Sequence, residues 1–173
     1  VWIDDSVVSG NIASHPDYSG SGAGLYLIDT GAGISNSQFT ANNASGFGGA
    51  IYLIGYSPDS VAQEFINCLI NENTASFWGA GLFANLNAAP HLENCTIVDN
   101  IISNLSFGAG GGVSCYNAFV EIENSILWGN DAVYGSQIAV GDPSEYDNPM
   151  ATVLASYSDI MGGEDEIFVG DAL

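Results

Sequence analysis

Short alternating runs of apolar and polar residues recur along the chain, and one such run occurs six times with variations. Its consensus is apolar-x-Asn-(Ser/Cys)-x-apolar-x-x-Asn. The copies are IDDSVVSGN at 3–11, ISNSQFTAN at 34–42, FINCLINEN at 65–73, LENCTIVDN at 92–100, IENSILWGN at 122–130 and a degenerate ASYSDIMGG at 155–163. The closing asparagines of the first five copies follow one another at steps of 31, 31, 27 and 30 residues. A period of about thirty residues is typical of proteins built from stacked structural repeats.

A second run lies between successive copies of the first. It is GAGLYL at 22–27, GGAIYL at 48–53, GAGLFA at 79–84, GGGVSC at 110–115 and GSQIAV at 135–140. Both runs are short, rich in β-branched and aromatic residues and bounded by turn residues, which favours strands over helices. The two series keep the same order throughout, so the repeat covers the whole chain.

This period predicts an all-β fold, a right-handed single-stranded parallel β-helix of about five to six rungs of roughly 27–33 residues each. We expect residues 1–173 to form one domain, either a segment of a longer extracellular protein or a subunit that stacks on itself. An antiparallel sandwich or a propeller is the alternative. Propeller blades need about forty residues or more and four strands in each repeat, so they fit less well.

The repeat also predicts which side chains stack inside the β-helix, because neighbouring rungs lie about 4.8 Å apart. One interior column accepts only small residues: Ser6, Ser37, Cys68, Cys95, Ser125 and Ser158. The next column is apolar: Val8, Phe39, Ile70, Ile97, Leu127 and Ile160. On the outer face, Glu64, His91 and Glu121 should align, with Glu93 beside Glu123 in the adjacent column.

The closing asparagines are predicted to form a structural ladder of hydrogen-bonded amides, made by Asn11, Asn42, Asn73, Asn100 and Asn130. Such a ladder satisfies turn backbone that would otherwise be buried without partners. We expect these asparagines to adopt the left-handed conformation themselves, which asparagine tolerates better than most residues. Gly163 takes the equivalent place in the sixth rung.

The charge of the chain limits the classes of partner that it can bind. The sequence has 20 Asp and Glu residues and no Lys or Arg, for a net charge of −20, while 47% of its residues are hydrophobic. Nucleic acid is excluded as a partner, because phosphate binding depends on basic side chains. No run is apolar for long enough to span a membrane. An acidic surface attracts cations, and salt or calcium outside a cell would screen its self-repulsion, so we expect an extracellular or cell-surface location.

One acidic segment is a candidate metal site. DPSEYDN at 142–148 supplies Asp142, Glu145 and Asp147, whose oxygen ligands suit calcium. The spacing matches neither an EF-hand nor a Gly-Asp nonapeptide repeat. A solvated acidic loop is the alternative. We expect no other cofactor.

The cysteines and the aromatic residues give weaker signals. Cys68 and Cys95 are neighbours in the interior column, where either stacked thiols or a rung-to-rung disulfide would fit. Cys115 is expected to be a buried free thiol. The repeat places no aromatic ladder on the surface, so Trp78 and Trp128 are expected in the core or scattered over the surface.

Two motifs carry a family resemblance. GGAI at 48–51 and FTAN at 39–42 resemble the GGA(I/L/V) and FxxN motifs of the chlamydial polymorphic membrane protein repeats. NSILWGN at 124–130 and SYSDIMGG at 156–163 resemble repeats of large secreted bacterial proteins of the pectate lyase-like superfamily. The resemblance implies a surface-exposed or secreted protein that acts as an adhesin, a passenger domain or a stalk.

The same resemblance raises the question of catalysis, since this superfamily includes enzymes. Lyases of the pectate type abstract a proton with Arg or Lys, and this chain has neither. Asp4 and Asp5 resemble the aspartate pair of polygalacturonases, but the other motifs of that family are missing and the pair falls on ordinary repeat positions. A non-enzyme is therefore expected, with no catalytic residues.

Two functions remain open. The first is a rigid acidic structural or adhesion module, whose partners are copies of itself stacked head to tail or an adjoining β-helix of the parent chain. The second is a carbohydrate-binding or carbohydrate-active β-helix, which requires carboxylates and aromatics gathered on one outer face, with surface glycans as partners.

Overall fold

The computed structural model describes residues 1–17, 19–57, 62–141, 143 and 150–170. In this part of the chain, successive rungs contain the following strands. The first two rungs contain β1 Trp2–Asp4, β2 Val7–Ser9, β3 Ile12–Ala13, β4 Leu25–Ile28, β5 Ala32–Ser35, β6 Gln38–Thr40, β7 Asn43–Ala44 and β8 Ile51–Ile54. The next two contain β9 Gln63–Ile66, β10 Leu69–Asn71, β11 Thr74–Ala75, β12 Leu82–Asn85, β13 Pro90–Glu93, β14 Thr96–Val98, β15 Ile101–Ile102 and β16 Val113–Tyr116. The last contain β17 Phe119–Glu123, β18 Ile126–Trp128, β19 Ile138–Val140, β20 Thr152–Ser156, β21 Asp159–Ile160, a 3₁₀ helix at Gly163–Glu166 and β22 Ile167–Val169.

Equivalent strands of successive rungs pair in parallel and form four sheets within the described residues. Sheet A has the order β1-β5-β9-β13-β17-β20, and sheet B has the order β2-β6-β10-β14-β18-β21. Sheet C is the short β3-β7-β11-β15, and sheet D joins β4, β8, β12, β16, β19 and β22. The predicted parallel β-helix is confirmed. Each rung contains more strands than the two repeated runs suggest, because the first run bends at a corner and sheet C follows it.

The predicted interior columns are found inside the coil. Phe39, Ile70, Ile97 and Leu127 are each 0% exposed, and each lies beside its equivalent in the next rung of sheet B. The column of small residues occupies the corner between sheets A and B. There the hydroxyl of one rung accepts a backbone N–H from the rung before, as Ser125 Oγ does from Cys95 N at 3.0 Å. A small side chain at this corner therefore serves hydrogen bonding as well as packing.

The asparagines at the turn between sheets B and C are bonded in a continuous series. Asn11 Nδ2 donates to Asn42 Oδ1 at 2.9 Å, Asn42 Nδ2 to Asn73 Oδ1 at 3.0 Å, and Asn73 Nδ2 to Asn100 Oδ1 at 2.9 Å. Asn100 Nδ2 then donates to Asn130 Oδ1 at 2.9 Å.

Each amide oxygen in this series also accepts the backbone N–H of the preceding asparagine. For example, Asn42 N donates to Asn73 Oδ1 at 2.9 Å. The series ends at Gln137, whose Oε1 accepts from Asn130 Nδ2 at 2.7 Å. Gln137 is itself 1% exposed, so its side chain serves as a buried end cap for the ladder.

The left-handed conformation was expected at the closing asparagines, and this expectation was wrong. Positive φ angles occur one residue earlier, for example at Ala41 (53°), Glu72 (56°) and Asp99 (56°). The asparagine itself returns to ordinary backbone and turns its amide inward, because its side chain must reach the rungs on either side. The corner between sheets A and B does use left-handed asparagines, as at Asn36 (49°) and Asn94 (54°).

Candidate functional site

The outer face of sheet A gathers acidic side chains around one histidine. His91 pairs in register with Glu64 on one side and with Glu121 on the other, and Glu93 pairs with Glu123. The His91 Nε2 atom lies 3.9 Å from Glu123 Oε2. A shallow groove of about 600 Å³ lies over His91, Glu121 and Glu123 and extends along β20. The outward alignment of these residues is the one that the repeat predicts.

Among the described residues, no three or more His, Cys, Asp and Glu side chains are grouped so that they could hold a metal ion. The predicted calcium ligands Asp142, Glu145 and Asp147 lie outside the described residues, so calcium binding there stays a prediction. Thermal melting with and without millimolar calcium tests it, because a ligand that binds only the folded state raises the melting temperature.

The aspartate pair Asp4–Asp5 is held in structural roles. Asp4 Oδ1 accepts hydrogen bonds from Ser35 Oγ at 2.7 Å and from Asn36 Nδ2 at 3.0 Å. These bonds hold the pKa of Asp4 below its usual value, whereas a general acid needs a raised one. Asp5 occupies the corner with φ 46°. The lowered pKa of Asp4 is the opposite of what the acid of a glycosidase requires.

The three thiols are buried, and all three are free. The hydrogen bond from Cys95 lowers the pKa of the Cys68 thiol, while the same contact, followed by burial, raises the pKa of Cys95. Burial raises the pKa of Cys115 to about 11. Cys68 and Cys95 are only 2% and 1% exposed and their sulfurs approach backbone carbonyls, so they fill the interior column as stacked thiols.

A cluster of aromatic rings covers the outer face of sheet D. Tyr52 stacks on Tyr26 and on Phe83, with ring centroids 5.0 Å apart in both pairs. Tyr52 and Phe83 point away from the interior of the coil, yet they are only 8% and 1% exposed. Phe47 and Trp78, from the turns that precede sheet D, lie over them. The rings therefore form a second hydrophobic core outside the coil.

The outer edge of this cluster is open to solvent. We call the surface formed by Phe47, Phe77, Trp78 and Phe107 the aromatic groove; its volume is about 380 Å³. Phe47 stacks on Trp78 at 4.9 Å with an interplanar angle of 17°, and Phe77 stacks on Phe107 at 5.7 Å with an angle of 5°. The two pairs meet at Phe47 and Phe77, whose ring centroids lie 5.6 Å apart with an interplanar angle of 42°.

A second cavity adjoins the groove and shares Phe77 and Phe107 with it. This polar pocket, of about 390 Å³, is completed by Ser76, Ser103 and Asn104. No charged side chain is found among the residues that the structure describes as lining either cavity.

Trp78 packs against this second hydrophobic core and Trp128 is 49% exposed on the surface, whereas the gathering of phenylalanines around Trp78 was not predicted. Phe47 and Trp78 each directly precede the first glycine of the second repeated run, in consecutive rungs. Equal offsets from a repeat place two residues side by side, so this signal was present in the sequence. The signal is weak because both residues lie in the connections and outside the two repeated runs.

The geometry defines the class of protein as a single-stranded parallel β-helix. Residues 2–147 match the family described as right handed beta helix region, so the chain belongs to that family, and the predicted right-handed winding is confirmed. Comparison with curated proteins and with solved structures gave no match. No helix in the described part of the chain is long and apolar enough to span a bilayer.

Proposed function

We propose that this chain is a non-enzymatic structural or adhesion module of an extracellular protein, a rigid acidic β-helix whose end rungs pair with further rungs. The observation that supports this proposal is the exposure of apolar residues at the two ends. In the apolar column of sheet B the middle residues are fully buried, but Val8 in the first rung and Ile160 in the last are partly exposed. Strands β1 and β20 likewise have a partner on only one side among the described residues.

Open edges of this kind favour pairing with another β-helix rung, which would bury the end residues and satisfy the unpaired backbone groups. The added rung could be supplied by a second copy of this chain or by an adjoining β-helix of a longer chain. The net charge of −20 opposes association of like molecules, at the ends as well as on the side walls. Salt outside a cell weakens this repulsion.

The side-chain chemistry supports a non-enzymatic role. The chain has no Lys or Arg to act as the base of a pectate-type lyase. Asp4 is an acceptor within a hydrogen-bonded corner, and the thiols of Cys68 and Cys95 are enclosed. What the fold does provide is a stiff axis, because the backbone of each middle rung is bonded on both sides.

Sedimentation velocity over a range of protein concentrations tests end pairing. We expect end-to-end oligomers whose fraction rises with protein concentration and with salt, since salt screens the like charges. Ile160→Asp places a carboxylate on the open end of the apolar column, and we expect this variant to remain monomeric. Leu105→Asp is the matched control, because Leu105 is 85% exposed in a lateral turn away from both ends.

A chain that stays monomeric at every concentration and salt level would contradict pairing between copies. Equal association of the Ile160→Asp and Leu105→Asp variants would show that the contact does not involve the ends. Catalysis is tested separately by incubating the protein with neutral and acidic polysaccharides. Release of reducing ends or of unsaturated products would overturn the non-enzymatic proposal.

A further inference from the structure

We propose that Asn104 is a covalent modification site, an acceptor for N-linked glycosylation. Residues 104–106 are Asn-Leu-Ser, which matches the acceptor pattern Asn-x-Ser/Thr in which x is not Pro. The proposal rests on the extracellular location given in the proposed function, because this modification belongs to surface loops of secreted proteins. It does not depend on pairing at the ends.

The acceptor pattern occurs three times in the sequence, and the structure separates the three copies. The other two are Asn-Ala-Ser at 43–45 and Asn-Cys-Thr at 94–96. Both lie in the wall of the β-helix, where their middle residues, Ala44 and Cys95, are each 1% exposed. The middle residue of the third copy, Leu105, is 85% exposed. The third copy is therefore the one whose chain another protein can grip from both sides.

The two copies in the wall are also tied to neighbouring rungs by their backbone. Ser45 N donates to Ala13 O at 2.9 Å, and Thr96 N donates to Cys68 O at 2.9 Å. An enzyme that draws either segment into its active site must break bonds of this kind and open the stack of rungs. The folded protein therefore protects both of these asparagines.

The turn at Asn104 is held mainly by its own side chain. Asn104 Oδ1 accepts the backbone N–H groups of Ser106 and Phe107 at 2.9 and 3.3 Å. Asn104 N anchors the start of the turn to the neighbouring rung through Ser76 O, at 3.2 Å. In the described part of the chain, neither Asn104 Nδ2 nor the exposed Ser106 hydroxyl makes a hydrogen bond. An enzyme can therefore bind the two groups that define the acceptor while the rungs stay paired.

The modification joins the Asn104 amide to a sugar. The second substrate is an oligosaccharide carried on a lipid pyrophosphate, which the transferase brings. Asn104 Nδ2 forms a bond to C1 of the first sugar, and the C1–O bond to the pyrophosphate breaks. The lipid pyrophosphate leaves with the bonding electron pair, and one Nδ2 proton passes to a base of the transferase. Nothing is oxidised or reduced.

Apolar side chains beside the acceptor give the glycan a physical role. Leu105 is 85% exposed and Phe107 is 45% exposed, although both lie in a lateral turn that solvent surrounds. Asn104 also lines the polar pocket together with Phe77 and Phe107. A bulky, solvated glycan at Asn104 would cover this apolar surface, which otherwise favours association with other molecules.

Transfer to the folded protein in vitro tests the inference. Protein made in a bacterial cytosol would be incubated with a purified oligosaccharyltransferase and a lipid-pyrophosphate oligosaccharide, with short synthetic peptides of the three acceptor segments as unfolded references. Cleavage after glutamate releases residues 94–121, which contain both Asn94 and Asn104, and tandem mass spectrometry then locates the glycan. We expect all three peptides to be modified, but the folded protein to be modified at Asn104 alone.

Ser106→Ala removes the hydroxyl that the pattern requires and should abolish transfer to Asn104. Ser106→Thr is the matched control, because it keeps a hydroxyl at this position and should remain an acceptor. Both variants should fold normally since Ser106 is exposed, and circular dichroism with the melting temperature checks this.

Three results in vitro would overturn the inference. They are an unmodified Asn104 in the folded protein, equal transfer to Asn43 or Asn94 in the folded protein, and equal transfer to the two Ser106 variants. The mass of the protein isolated from the cells that make it separates this inference from the proposed location. Extracellular protein with an unmodified Asn104 would overturn the inference and leave the location standing, whereas protein retained in the cytosol would overturn both.

Discussion

Replacing Asn73 by alanine tests the contribution of the amide ladder to stability. Asn73 is 0% exposed, and its side chain takes part in four hydrogen bonds. Its Oδ1 accepts from Asn42 N and Asn42 Nδ2 at 2.9 and 3.0 Å, and its Nδ2 donates to Phe39 O and Asn100 Oδ1, each at 2.9 Å. The substitution removes all four while leaving the strands on either side unchanged.

The expected cost follows from what each partner can do afterwards. Two neighbouring hydrogen bonds survive the substitution. Asn42 Nδ2 still donates to Val8 O at 3.0 Å, and Asn100 Oδ1 still accepts the backbone N–H of residue 73 at 3.1 Å. The backbone N–H of Asn42, which is 1% exposed, is left buried with no acceptor in the described part of the chain. With about 1 kcal/mol for each of the four lost bonds and at least about 1 kcal/mol more for the orphaned donor, Asn73→Ala should destabilise the fold by about 5 kcal/mol or more.

The same substitution at the end of the ladder is the control. The Asn11 side chain is exposed and donates a single bond, to Asn42 Oδ1 at 2.9 Å, so Asn11→Ala should cost less than about 1 kcal/mol. Urea unfolding followed by circular dichroism and by tryptophan fluorescence gives the free energies, and coincident transitions establish two-state behaviour. Equal costs for the two variants would refute the assignment of stability to the buried ladder.

Three further predictions concern the turns and the buried titratable groups. Gly79→Ala should destabilise the fold by more than about 2 kcal/mol, because φ is +61° and a Cβ would lie 2.4 Å from Leu82 O. Gly10→Ala is the control: φ is +65° but no atom lies within 4 Å of the added Cβ, so the loss of unfolding free energy in the same urea assay should be smaller. Cys68, Cys95 and Cys115 are each at most 2% exposed, and burial raises the pKa of Cys115 to about 11. Ellman's reagent, which must reach the sulfur, should therefore label no thiol of the native protein at neutral pH and all three in denaturant; rapid native labelling would contradict this burial. Burial also raises the pKa of Tyr52, so the folded protein holds the phenol proton more tightly than the unfolded chain does. The resulting stabilisation of the fold is complete below the ordinary tyrosine pKa of about 10, and it is lost as the pH rises through the folded-state pKa. Alkaline urea titrations of the wild type and of Tyr52→Phe should diverge above this pH, and parallel curves would be the contrary result.

The rungs could be predicted because their cause is local and repeated. The alternation of apolar and polar residues in 92–100 determines which side chains face inward, and the repeat period then aligns His91 with Glu64 and Glu121. The observed strand register pairs the same residues. Side-chain hydrogen bonds across rungs follow from the same spacing of about 4.8 Å.

Features outside the repeated runs could not be predicted in the same way. The left-handed residue lies one place before each ladder asparagine, because the amide must point inward, and a consensus of side chains carries no information on φ. The polar pocket depends on how the turn at Asn104 folds back against Phe77. That arrangement is set by tertiary contacts, and the turn at Asn104 lies outside both repeated runs.

The amide ladder gives the molecule a direction. The ladder bond of each amide from Asn11 to Asn100 is donated toward the carboxyl-terminal end, while the second N–H of Asn42, Asn73 and Asn100 is donated to a carbonyl of the preceding rung. Asn11 Oδ1 has no donor in the described part of the chain. Two copies that met with their first rungs together would oppose two such oxygens, whereas a copy added in the same orientation can supply an N–H. A contact made through the first rung would therefore be heterologous, head to tail, and would not be a two-fold contact between two first rungs.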